Sequence, residues 1–127
     1  MSLMVIIKRD GTRTTPILQQ QAKVYLLKPD LVDKDREANL SQVLNDIYSD
    51  RGKATSNYTY NGYPILHASS GNSVKSLTAF FYRLGGINYL VALGEHAGKS
   101  KGSESYKISV YGQATGDFKK NATILLD

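Results

Sequence analysis

The sequence predicts an α+β fold: a mainly antiparallel sheet whose central hairpin, residues 77–84 and 87–93, packs on one amphipathic helix over residues 34–51. Three observations lead there. Leu40, Val43, Leu44 and Ile47 recur at i, i+3, i+4 and i+7, which gathers them on one helical face. Two β-rich runs flank Gly85-Gly86, a pair suited to a two-residue turn with positive φ. The chain has 127 residues, 41% of them hydrophobic and 21% charged, which suits one globular domain over 1–127 and leaves little room for a second.

From the N-terminus, Ser2-Leu3 ahead of a second methionine reads as a vector-derived scar over residues 1–3. The β-branched run 4–8 predicts a first strand closed by Asp10-Gly11. Thr15-Pro16 has the form of a helix start, but Gln19-Gln20-Gln21 leaves the apolar period weak, so a helical turn and a strand are both open. Residues 23–27, compact, rich in β formers and closed by Pro29, read as a second strand.

The helix over 34–51 follows, with Asp33 placed to cap it and Gly52 to end it. Lys34, Asp35, Arg36 and Glu37 read as its solvated first turn. Residues 52–64 form a turn-rich stretch in which Tyr58, Tyr60 and Tyr63 either cover the core or stack on a ligand.

In the hairpin, the simple register sets Leu84 opposite Ile87, Tyr82 opposite Tyr89, Phe80 opposite Val91 and Thr78 opposite Leu93. Leu77, Ala79, Phe81, Leu90 and Ala92 take the other face. Both faces are apolar, which puts the hairpin at the centre of the sheet. A Gly, Ser and Lys loop over 97–104 then leads to an alternating strand at 106–111, with Tyr106, Ile108 and Val110 inward, and to a last strand at 122–126.

Several function classes drop out. Without cysteine there is no disulfide, no thiolate metal site and no cysteine nucleophile, and the reading is a cytoplasmic protein. No apolar run approaches the roughly 20 residues of a membrane span, so no membrane partner is expected. Phosphate loops, dinucleotide glycine patterns, zinc-helix motifs and nucleophile elbows are all missing. With two histidines, and only Glu95 beside His96 at a telling spacing, neither metal nor cofactor is expected.

Lys and Arg exceed Asp and Glu by 16 to 11, a net charge of +5, which suits RNA or another phosphate-rich partner. The hairpin register, extended past Leu77 and Gly94, sets Lys75 opposite His96. The segment from His67 through Ser69 and Ser70 leads into that end, and the loop carrying Lys99 and Lys101 leads out of it. Such a patch suits metal-independent RNA cleavage: His67 and His96 as general base and acid, Lys75 against the crowded phosphate, and Ser69, Ser70, Lys99 and Lys101 binding substrate. Amides over residues 69–72 would add an anion nest, whereas Arg83 falls at the wrong end. The small basic ribonuclease toxins of bacteria offer an analogy of architecture, with no diagnostic motif aligned. The alternative is a non-enzymatic module that binds a protein partner through residues 58–63 or a strand edge, with both histidines serving only the fold.

Overall fold

The computed structural model describes residues 2–8, 12–29, 31–60, 62–71, 76–96 and 106–108; for 56–58, 95–96 and 106–108 it describes the backbone alone. Five strands run in the order β1 (Leu3–Ile6), β5 (Ile87–His96), β4 (Leu77–Leu84), β3 (Tyr63–Ser70) and β2 (Lys53–Tyr60), and a short β6 (Tyr106–Ile108) also pairs with β5. All neighbours are antiparallel except β1 and β5. The expected α+β fold and the central position of the 77–84 hairpin are therefore observed. The predicted strand at 122–126 lies outside the described residues.

Gly85 and Gly86 carry φ of 60° and 80°, the positive pair that a tight hairpin turn requires. From there the register runs as expected through Phe81 and Leu90, then departs from it. Phe81 pairs with Leu90 but Phe80 with Ala92, so Val91 is an extra residue in β5. This bulge shifts everything beyond it by one: Thr78 faces Gly94, not Leu93, and Ala92 moves to the face of Phe80.

Helix α2 (Glu37–Tyr48) is shorter than the predicted 34–51, because Lys34–Arg36 is a 3-10 turn and Asp50 adopts positive φ of 61°. Asp33 makes no side-chain cap; its carboxylate takes Arg36 instead, at 2.7 Å. Leu40, Val43, Leu44 and Ile47 are buried as their spacing demands. The face of β3 and β4 toward α2 carries Ala68, Ala79 and Phe81, all buried.

The strand expected at 23–27 is instead the end of a second helix, α1 (Gln19–Leu26). The glutamines, Ala22 and Lys23 are helix formers, and Ala22 and Leu26, four apart, both reach the core. That burial outweighs the β preference of Val24 and Tyr25. Gln21 fixes the start by accepting from the Leu18 amide at 2.8 Å, so Thr15-Pro16 stays outside the helix.

The stretch 52–64 also differs from expectation, because most of it is β2 and the start of β3, joined through residues 61 and 62. Of the residues read above as a scar, Leu3 opens β1, and buried Asn88 donates to Ser2 Oγ at 2.7 Å and to the Leu3 carbonyl at 3.1 Å. Among the described residues, no helix is long and apolar enough to cross a membrane.

Candidate functional site

A polar recess of about 400 Å³ opens where β2 begins, lined by Asp46, Arg51, Gly52, Lys53, His67, Ala68 and Ser69. Its position follows from strand lengths. Lys53, the first residue of β2, pairs with His67, whereas β3 continues along β4 to the Ser70–Leu77 pair. Among the described residues, 68–70 therefore have a strand on one side only, and the recess lies against that edge.

Alternation along β3 puts His67 and Ser69 on one face and Ala68 and Ser70 on the other. His67 is half-buried, and its Nδ1 lies 2.8 Å from the hydroxyl of buried Thr55 on β2. That bond fixes the ring orientation and ties its tautomer to the direction of the threonine proton. Ser69 Oγ shares a hydrogen bond of 2.9 Å with Thr78 Oγ1, so its exposed hydroxyl is also held in place.

The cationic wall comes from the turn after α2. Arg51 donates from Nε and Nη2 to Asp46 Oδ1, at 3.2 and 2.9 Å, and the Arg51 carbonyl accepts from Arg83 Nη2 at 3.0 Å. Arg83 also donates to the Ile47 carbonyl and to Asn88, so it clamps this turn onto the central hairpin. Its location at the glycine-turn end, which made it a poor catalytic candidate, suits that structural role. Lys53 is exposed at the mouth, and the formal charges of Lys53, Arg51 and Asp46 sum to +1 before any charge on His67.

The expected constellation is gathered only in part. His67 and Ser69 share the recess, but Ser70 donates to Asn39 Oδ1 of α2 at 2.9 Å, on the opposite face of the sheet. His96 ends β5 opposite Tyr106. It lies four residues beyond Ala92, the residue in line with His67 through Phe80, and two strands across, roughly 16 Å between backbones at normal strand spacing. The register thus separates the two histidines. Lys75, Lys99 and Lys101 lie outside the described residues, and the bulge at Val91 removes the register argument that set Lys75 opposite His96.

Lys53, Arg51 and Asp46 of the recess, and Thr55 hydrogen-bonded to His67, are residues that sequence reasoning missed. Asn61-Gly62 was the available signal, since that dipeptide between β-rich runs marks a hairpin. Its simple register would have paired Lys53 with Ser70. Residues 55–58 instead stand against the single Ile65 of β3, which slides Lys53 by three positions onto His67.

A second feature crosses the sheet near the hairpin turn. Tyr63, Tyr82 and Tyr89 stack with centroids 4.8 and 4.7 Å apart, Tyr60 lies 5.9 Å from Tyr82, and the Arg13 guanidinium sits 5.6 Å over Tyr89. Burial raises the Tyr60 and Tyr82 hydroxyls above their ordinary range, with the charge of Arg13 working against it. Tyr63, at 41% exposed, presents the open end of the stack. Among the described residues no cluster of His, Asp or Glu is arranged to hold a metal ion.

No family model, curated protein or solved structure matches this chain.

Proposed function

We propose that this domain binds single-stranded RNA, with a backbone phosphate seated in the recess of Arg51, Lys53, His67 and Ser69. The observation behind this reading is the recess itself: Lys53, Arg51 paired with Asp46, an imidazole and a hydroxyl around one opening of net positive charge, on a chain of net charge +5. A phosphate needs charge and several directed donors, and this set supplies both. The exposed end of the tyrosine stack supports the single-stranded form of the partner, because unpaired bases stack on aromatic rings irrespective of sequence. Cleavage is the narrower form of the proposal. It requires a second proton-transfer group at the phosphate held by His67.

Anisotropy of a labelled single-stranded RNA, titrated with protein in EDTA at several salt concentrations, tests the reading. Salt-sensitive binding is expected, and Arg51→Ala with Lys53→Ala should flatten the slope of log K against log salt by about 1.4, two phosphate contacts' worth. Cleavage by the parent protein that His67→Ala abolishes would support the narrower form. Binding with intact RNA supports binding alone. Absence of salt-sensitive binding overturns the proposal and leaves the protein-partner alternative.

A further inference from the structure

The outer side of α1 bears an apolar groove of about 550 Å³, distinct in every lining residue from the His67 recess. Ile17, Val24 and Tyr25 form its walls, Thr14 and Gln20 lie along its length, and Lys28 closes one end. Val24 is 65% exposed, although it is a β-branched apolar side chain on a helix whose core contacts come from Ala22 and Leu26. Helix α1 thus presents apolar surface on two sides and buries one of them.

Charge distinguishes one end of the groove. Lys28, itself part of the lining, has its ammonium 4.3 Å from the Tyr25 ring centroid, and the Lys8 ammonium, outside the lining, lies 5.9 Å from the same centroid. Among the described residues neither lysine forms an ion pair, and no lining residue is acidic. The C-terminal end of α1 opposes an anion there with about half an elementary charge, against two full positive charges. From Gln20 to Lys28 the groove is about 12 Å long at the helical rise, and its volume falls within the range of small-molecule sites.

We infer that this groove is a binding site for a small amphiphilic carboxylate of the medium-chain fatty-acid class. The carboxylate sits at Lys28, with the charge of Lys8 near the same Tyr25 ring, and the alkyl chain runs along Tyr25, Val24 and Ile17 toward Gln20. The apolar walls supply affinity and the lysine pair supplies selection for the anion. The site stands independently of the RNA reading.

Isothermal titration with sodium decanoate below its micelle concentration, beside decanol and decyltrimethylammonium, separates charge from chain. Saturable binding of decanoate with one equivalent per chain is expected, at least tenfold tighter than decanol and without measurable binding of the cation. Lys28→Gln should lower decanoate affinity several-fold and leave decanol unchanged. Val24→Asp should abolish both; should that variant unfold, Val24→Ser is the substitute and should weaken both ligands alike. Equal affinity for decanoate and decanol overturns the assignment, as does decanoate binding that survives the Val24 variants. Gel filtration completes the test: a dimer of the parent chain that Val24→Asp dissociates would assign the groove to a second copy and overturn the ligand.

Discussion

The two concavities of this molecule are built by opposite means. The His67 recess is made by strands and a clamped turn, and its polar groups are hydrogen-bonded before any ligand arrives: His67 to Thr55, Ser69 to Thr78, Arg51 to Asp46. The α1 groove is made by an eight-residue helix and the segment before it, and Ile17 and Val24 give it walls of apolar surface. One hydroxyl stabilises the groove from beneath, where Tyr48 Oη donates to the Ile17 carbonyl at 3.0 Å. A polar site gains from orientation fixed in advance, since ordering donors at the moment of binding costs conformational entropy. An apolar site gains from area and tolerates looser walls.

The largest expected effect tests whether the two regions belong to one cooperative unit. Leu44 is buried on α2 and Phe80 is buried in β4 against His67, so Leu44→Ala and Phe80→Ala should each cost about 2–5 kcal/mol through lost burial and a residual cavity. Urea denaturation followed by both near- and far-ultraviolet circular dichroism would show it. Coincident transitions are expected from one continuous core. Separate transitions would mean that α1 and its groove unfold independently of the sheet, and a loss well below 1 kcal/mol would mean the core is wrongly placed.

Those two residues were legible in the sequence, whereas most of the candidate site was not. Helical periodicity around Leu44 and the glycine turn between β4 and β5 are local signals, and both carried through to the fold. Register beyond the turn is not local. Val91 in β5 and the three surplus residues of β2 re-aim every side chain beyond them, and no propensity marks either irregularity. The same limit explains α1: Ala22 and Leu26 outweigh Val24 and Tyr25 only once the sheet is there to bury them. His67 and Ser69 were found together because they belong to one short segment leading into the hairpin, and their partners Lys53 and Arg51 were missed because they arrive from other elements.

A smaller effect should fall on the recess alone. Gly52 lines it at φ of 152°, and a Cβ there would lie 2.8 Å from Phe81 Cζ, a fully buried ring with little freedom to yield. Gly52→Ala should therefore cost about 1–3 kcal/mol by overpacking, with RNA affinity reduced and decanoate affinity unchanged. Loss of both affinities together would show that the two concavities are coupled through α2.

The complementary change weakens the groove. Tyr48→Phe removes the hydroxyl that holds Ile17 and should cost about 1 kcal/mol at neutral pH, with little effect on RNA. Burial raises the Tyr48 hydroxyl well above its ordinary value. The folded state therefore favours the neutral phenol, and this stability is present in full below about pH 10 and lost as pH rises toward the folded value. Denaturation between about pH 8 and 11 should show the parent protein losing stability at the alkaline end and the variant losing less. Parallel curves for the two proteins would remove Tyr48 as a cause.

The smallest effect on stability should carry the most information about the recess. Thr55→Val keeps the shape of a buried side chain and removes its hydroxyl, leaving His67 Nδ1 to turn toward water, so the cost should be about 0.5–1 kcal/mol. No charge is lost. If Thr55 serves the recess by orienting the imidazole, RNA affinity should fall while the slope against salt stays that of the parent, because the number of neutralised phosphates is unchanged. Removing Lys53 should do the reverse and flatten the slope. A flattened slope in Thr55→Val would mean that the edge of β2 had moved and carried Lys53 with it. Unchanged affinity would mean that RNA does not touch His67, and the proposed seat of the phosphate would fall while the stack of tyrosines remained to be tested by Tyr63→Ala.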